Sequence, residues 1–487
     1  LSKQEGGSSG VLSVNQTLKK TTNTPVPGEF AIYAALEDVD VQHWSVILER
    51  YRQLQSDASF SEVEGALPNI RYMIDIDSLQ LGAQQIDDVV VRGRRNDGLW
   101  SINVDNSLVK GRMVIDDTFS EPVEVSLDYL NIPSSRVAQV DIEEGAVNAA
   151  KDNSDPWGAI NFSVMKKANV SIKQLSYKEK SFTNIQFTAE PIVDGLALND
   201  ISLSFSQLSV SGDGGKGASL VWRYTDEDNN TESQLAADHL KGRGRSMLSQ
   251  FSGVITGGDV ETLFNDWQLP QVLKSKSTFV DIDVSWQGSP AAFAIEKLSG
   301  DTKIEMSQGV FVQSKGQAST GILRLFSLFN FDTWARRLRL DFSDLYKKGI
   351  VYDELSVRFN FDQGNIYFQE PLHVISPSSE FSMAGIIDYP RENIDAVLIT
   401  TLPIGGNLTF AAALAAGLPA AVGVYIVSKI FKPQVDRASS LTYSVKGEWA
   451  KPEVKFIKLF GTSLDPANPA KALSDQEENN GIIIDGS

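Results

Sequence analysis

The chain has 487 residues, 42% of them hydrophobic, so it holds ample apolar side chain for a core and is not a disordered polymer. It carries 62 Asp and Glu against 44 Lys and Arg, a net charge of −18, which argues against nucleic acid as a main partner because phosphate neutralisation needs clustered cations. With no Cys, it has neither a disulfide framework nor thiolate chemistry.

The chain begins at Leu1 without a secretory signal or N-terminal anchor and is read as a fragment of a longer protein. Residues 1–28, with EGGSSG and TTNTPVPG, read as a lead-in linker with a first strand near VLSVNQTL. From 29 to 400 one pattern recurs: short runs of apolar/polar alternation closed by Gly, Asn or Asp. NIRYMIDID places Ile70, Tyr72, Ile74 and Ile76 on one face, and DISLSFS places Ile201, Leu203 and Phe205 together. TFVDIDVSW groups Val280, Ile282, Val284 and Trp286 against Asp281, Asp283 and Ser285. SVRFNFD groups Val357, Phe359 and Phe361, GNIYFQE groups Ile366 and Phe368, and LTYSVKGEW groups Leu441, Tyr443, Val445 and Trp449. Period-two alternation predicts antiparallel strands with one dry and one wet face.

Helices are few. DVQHWSVILERY predicts one near 40–52, with Val41, Trp44, Leu48 and Tyr51 on one side. DVETLFNDW predicts another near 259–268, carrying Val260, Leu263, Phe264 and Trp267. Asp40 and Asp259 are the expected N-caps. The shared Asp-Val start hints at an internal repeat. A third helix near 320–339 has the stripe Ile322, Leu325, Phe326 and Phe329. So few helices cannot cover so many one-faced strands, so either two sheets close on each other or a curved sheet forms a trough that something else fills.

The run from Ala396 to Ser428 is free of charge. Its 408–427 portion is long enough to cross a bilayer, but Pro419 and several glycines break it, so 401–432 is expected to form an apolar helical hairpin. Membrane contact, a buried plug at the end of the sheet and a true span all stay open. Residues 433–460 read as terminal strands and 461–487 as a flexible acidic tail.

Nothing makes a case for catalysis. His43, His239 and His373 have no second ligand nearby in sequence, and no metal or other cofactor is expected. The DID triplets at 75–77 and 281–283 are explained by strand alternation. GDGGKGAS at 212–219 does not fit a phosphate loop and reads as a hairpin tip. The basic clusters RGRR at 92–95 and KGRGR at 241–245 read as loop or headgroup-side charge.

The stretch GILRLFSLFNFDTWARRLRLDFSDLYKKGIVYDEL at 321–355, then GNIYFQEPLHVISPSSEFSMAGIIDY, then YSVKGEWAKPEVKF at 443–456, resembles the C-terminal region of the YhdP branch of the AsmA-like proteins. Residues 266–311 look similar to the same family, and over 1–250 the likeness is architectural. The resemblance implies a Gram-negative envelope protein of the bridge-like lipid-transfer kind. Such a protein would be anchored in the inner membrane by a helix this chain lacks and would cross the periplasm. It would move phospholipid between inner and outer membranes, with its C-terminal end at the inner leaflet of the outer membrane and with envelope proteins as possible partners. The chain's strong acidity departs from the generic family.

The fold expected on both grounds is mainly β: a long, curved, twisted antiparallel sheet forming a hydrophobic groove, with a few short amphipathic helices and a C-terminal apolar helical segment. Expected groove-lining residues are Ile74, Ile76, Leu203, Phe205, Val280, Ile282, Val284, Trp286, Ile322, Leu325, Phe326, Phe329, Val357, Phe359, Phe361, Ile366 and Phe368. Expected membrane contacts are Phe410, Leu414, Leu418, Val422 and Tyr425. A charge at Val284 or Phe359 is expected to block lipid passage without unfolding the chain. The competing reading is a structural scaffold, a closed β-sandwich array that binds other envelope proteins, with the apolar segment as a plug. A carbohydrate-active enzyme ranks last, because no acid pair can be placed in an aromatic cleft.

Overall fold

The computed structural model describes residues 2–4, 7–15, 28–40, 69–81, 84–118, 120–132, 155, 162, 165–177, 180–212, 217–225, 246–268, 271–312, 350–377, 379–401, 440–448 and 452–459. The predicted helices near 40–52 and 320–339, the 402–439 segment and the tail after 459 lie outside these residues. The chain divides into two compact units, residues 1–153 with 161–203 and residues 154–160 with 204–487.

The first unit holds β1 (Ser2–Gln4), β2 (Gly7–Val14), β3 (Glu29–Asp40), β4 (Asn69–Leu81), β5 (Gln84–Asn96), β6 (Leu99–Asp105), β7 (Val109–Asp116), β8 (Val123–Ile132), β9 (Ala168–Tyr177) and β10 (Lys180–Ile192), with β11 (Gly195–Phe205) running to the boundary. β4 to β8 form an antiparallel meander, and β9 pairs antiparallel with β10. The Asp97-Gly98 turn between β5 and β6 has positive φ at both residues, the type I′ geometry that matches strand twist.

The purely antiparallel expectation is corrected here. β2–β3, β3–β4 and β8–β9 pair in parallel. A parallel pair needs a crossover of about a dozen residues or more, and residues 15–28, 41–68 and 133–167 supply that length. Alternation reports which face is dry and is silent on strand direction. RGRR at 92–95 is likewise not a loop but part of β5. Asp40 closes β3, and the cap expected of it falls on residues outside those described.

The second unit holds β12 (Leu208–Ser211), β13 (Ala218–Thr225), β14 (Ser246–Gly257), α1 (Val260–Asp266), β15 (Leu273–Lys274), β16 (Ser277–Gln287), β17 (Leu298–Phe311), β18 (Ile350–Asp362), β19 (Asn365–Ser376), β20 (Ser379–Asp388), β21 (Asn393–Thr401), β22 (Ser440–Glu448) and β23 (Glu453–Leu459). β12 and β13 lie end to end along one edge of β14, and β16 lies along the other. From β16 the strands follow in antiparallel order through β17 to β23, with β15 extending the β17 edge. The pairing of β19 is irregular around Pro371, which has no N–H to give a ladder. α1 starts as predicted: the Asp259 carboxylate accepts from the Glu261 N–H at 2.8 Å and from the Ser275 N–H at 3.1 Å. The charge-free run does not begin as a helix, because Ala396–Thr401 complete β21 and Ala396, Val397 and Leu398 are buried there.

Candidate functional site

Cross-strand partners share a sheet face, so register shows which residues make a continuous surface. In the first unit one row runs Leu12, Ile32, Tyr72, Gly93, Ile102, Met113, Val125, Val170, Phe187 across β2 to β10. The neighbouring row runs Val14, Ala34, Ile74, Val91, Val104, Gly111, Leu127, Ile172, Ile185. Apart from the Tyr72 hydroxyl, neither row contains a polar side-chain group. Most members from Ile74 to Leu127 and from Ile102 to Phe187 are only half-buried, and Leu12 is 55% exposed. The opposite face carries Asn103, Asp105, Arg112, Glu124, Ser126 and Asp128, all exposed. The first unit is therefore a sheet with one wet face and one apolar face that, among the described residues, is left half-buried over most of its length.

Two devices keep that apolar face even. Gly93 lets the Tyr72 ring lie flat across β5, and the Tyr72 hydroxyl donates to the Ser101 carbonyl at 3.2 Å. Burial pushes the Tyr72 phenol up to about 12. At the rim, the guanidinium of Arg95 is buried and donates to Asp117, with Nε at 3.1 Å, while Trp100 Nε1 donates to the same carboxylate. The apolar face thus ends in a charge that is already satisfied.

The second unit continues the pattern with a different outcome. One row runs Gly257, Thr278, Met306, Leu355, Val374, Phe381, Thr400 across β14 to β21. Another runs Phe251, Val284, Gly300, Phe361, Ile366, Ile387, Ile394. The apolar side chains of these rows form one packed cluster, with Phe251 packed against it, and α1 joins it through Val260 and Phe264. Phe359 meets Phe361 at 6.4 Å and Phe368 at 5.1 Å between ring centroids. Tyr352 repeats the Tyr72 device: it lies over Gly309 and donates to the Lys274 carbonyl at 2.7 Å, and burial raises its pKa.

The expected lining residues divide accordingly. Ile74 and Ile76 sit on the apolar face of the first unit. Leu203 ends that unit, whereas Phe205 belongs to the second and stacks on Trp267 at 5.6 Å. Val284, Trp286, Val357, Phe359, Phe361, Ile366 and Phe368 come together in the core cluster, Ile282 packs against it, and Val280 stands in register between Ile255 and Ile304. Ile322, Leu325, Phe326, Phe329, Phe410, Leu414, Leu418, Val422 and Tyr425 lie outside the described residues. Val284 and Phe359 are 6% and 8% exposed. A charge there would be buried without a partner, so the expected block of passage with an intact fold does not hold at these two positions.

Sequence reasoning missed much of the surface. Val91 was hidden in the run DDVVVRGRR, where three consecutive valines mask the alternation. Ile304 and Met306 sit in TKIEMSQ, whose period of two was legible. Among the described residues no metal-binding cluster occurs, and His373 is engaged by Glu380. Among the same residues no helix is long and apolar enough to cross a membrane.

The family described as YhdP protein matches residues 1–454. The chain belongs to the YhdP family. Membership extends through the N-terminal half, where the sequence likeness was only architectural. A relative from Escherichia coli strain K12, the intermembrane phospholipid transporter YhdP, is 22% identical over 229 residues, covering 46% of this chain and 18% of the relative. This YhdP-family chain thus spans under a fifth of that relative's length in the match. No solved structure matches it.

Proposed function

We propose that the chain is a section of an intermembrane phospholipid conduit in the Gram-negative envelope. Acyl chains lie along the apolar face of the sheet, which serves as a hydrophobic groove, and headgroups stay in water. The observation that carries this reading is the pair of rows from β2 to β10, apolar apart from the Tyr72 hydroxyl and, among the described residues, half-buried at most of their members. An apolar surface of that extent in water is unfavourable by roughly 25 cal/mol per Å², and a lipid tail removes the cost. The name of the E. coli relative and family membership support the same cargo. Movement is passive diffusion along the groove, with no chemical step and no cofactor. The groove bridges inner and outer membranes, with its C-terminal end at the inner leaflet of the outer membrane.

The packed core of the second unit favours a second reading for that half, a closed scaffold. Native mass spectrometry with lipid extraction separates the two. Bound phospholipid in the purified chain, lost from Ile74→Asp and Val104→Asp variants that still fold, is the expected result. A lipid-free, folded, monodisperse chain would overturn the conduit in favour of the scaffold.

A further inference from the structure

The wet face of the first unit carries a feature that the apolar face does not explain. Arg71 on β4 stands directly opposite Arg94 on β5, and Arg92 on β5 is in register with Asn103 on β6, Arg112 on β7 and Ser126 on β8. Four guanidinium groups thus share one face of four adjacent strands, in a chain whose net charge is −18. Like charges placed opposite each other on a sheet are destabilising.

The carboxylates nearby do not relieve this. Asp105 is taken by Lys110 at 3.2 Å, and Asp128 by Lys173 at 2.6 Å. Among the described residues Glu29 approaches Arg71, at 3.4 Å, and Arg71 Nη2 is buried without a hydrogen bond. Among the described residues, Arg92, Arg94 and Arg112 pair with no acid. Arg92, Asn103, Arg112 and Ser126 line a depression of about 320 Å³ together with Asp105, Lys110 and Asp128, at the small end of the range for ligand sites.

We infer that this depression is an anion site for a phosphate group, held by Arg92 and Arg112 with Asn103 and Ser126 as neutral donors. The planar fork of a guanidinium matches two phosphate oxygens, and the two carboxylates that also line the depression, Asp105 and Asp128, are each held by a lysine, Lys110 and Lys173, rather than by either fork. The site lies on the face opposite the lipid groove, so it does not depend on the cargo proposed above. A soluble phosphate ester and a phospholipid headgroup at a membrane surface share the chemistry it selects.

The test is calorimetric titration of the full chain with inorganic phosphate and with glycerol 3-phosphate, against chloride at matched ionic strength, followed by flotation with phosphatidylglycerol and phosphatidylcholine vesicles. Saturable binding is expected, weakened roughly tenfold for each guanidinium removed in R92Q and R112Q. R92K/R112K keeps both charges and the fold but loses the forks, and is expected to bind more weakly than the native chain and more tightly than R92Q/R112Q. Binding to glycerol 3-phosphate without vesicles assigns a soluble ester, and binding confined to phosphatidylglycerol vesicles and lost in the same variants assigns a headgroup. No response beyond chloride in either arm, or equal binding by native, Gln and Lys chains, overturns the site.

Discussion

Tyr72 on β4 lies across Gly93 on β5 so closely that a methyl group at position 93 would stand 2.2 Å from the phenol oxygen. Tyr352 and Gly309 repeat the relationship in the second unit, at the same 2.2 Å. In each case the tyrosine hydroxyl reaches past the glycine strand to a carbonyl beyond it, Ser101 in one unit and Lys274 in the other. The glycine has no side chain to pack, and the ring fills its place on the sheet surface.

Gly93→Ala and Gly309→Ala should therefore each destabilise the chain by about 1–3 kcal/mol, the usual cost of overpacking. Urea unfolding checks this. Equal midpoints for native and alanine chains would show that the rings have room to move.

The pair at the rim of the apolar face is asymmetric. Arg95 is 5% exposed, whereas the Asp117 side chain is 25% exposed. Removing Asp117 strands a buried cation and should cost about 3–5 kcal/mol. Arg95→Met leaves a carboxylate that reaches water and keeps Trp100, so it should cost about 1.5–3 kcal/mol. Thermal denaturation of both variants tests the order, and a larger loss for Arg95→Met would reverse the assignment of which partner is the costly one.

The buried tyrosines set an alkaline limit. Burial pushes Tyr72 and Tyr443 up to about 12 and raises Tyr352 further, against 10.0 for an ordinary phenol. The folded chain keeps these protons where the unfolded chain loses them. Their contribution is fully present below pH 10 and is lost as pH rises through about 12. Urea midpoints measured from pH 9 to 12 should fall in that window, and Tyr72→Phe should fall less steeply. A flat profile in the native chain would contradict this.

The two units should respond differently to truncation. Phe368 is 3% exposed within the core cluster, and Phe368→Ala should cost about 3–5 kcal/mol. Val104, on the half-buried face of the first unit, should cost under about 1.5 kcal/mol as Ala, because part of its side chain already meets solvent. Paired denaturation curves settle it, and equal losses would mean that the first unit's apolar face is closed.

Much of this architecture was legible in the residues themselves. The period of two in NIRYMIDID, TFVDIDVSW and SVRFNFD assigned Ile74, Val284 and Phe359 to the apolar face, and Asp-Val before an i, i+3, i+4 pattern located α1. Where alternation was blurred, as in DDVVVRGRR, the reading failed, and Arg95 passed for a loop charge although it is buried against Asp117.

The sequence by itself determined which side of each strand is dry, because side chains alternate from face to face whatever the strand pairs with. It also carried family membership, through the match over residues 1–454. Only the tertiary structure decided which strands are neighbours, that β2–β3, β3–β4 and β8–β9 run parallel, and that Arg92 and Arg112 flank Asn103 in one cross-strand row. It alone separated a half-open apolar face in one unit from a packed core in the other. Pairing and closure are contacts between residues far apart in the chain, and a local period contains no record of them.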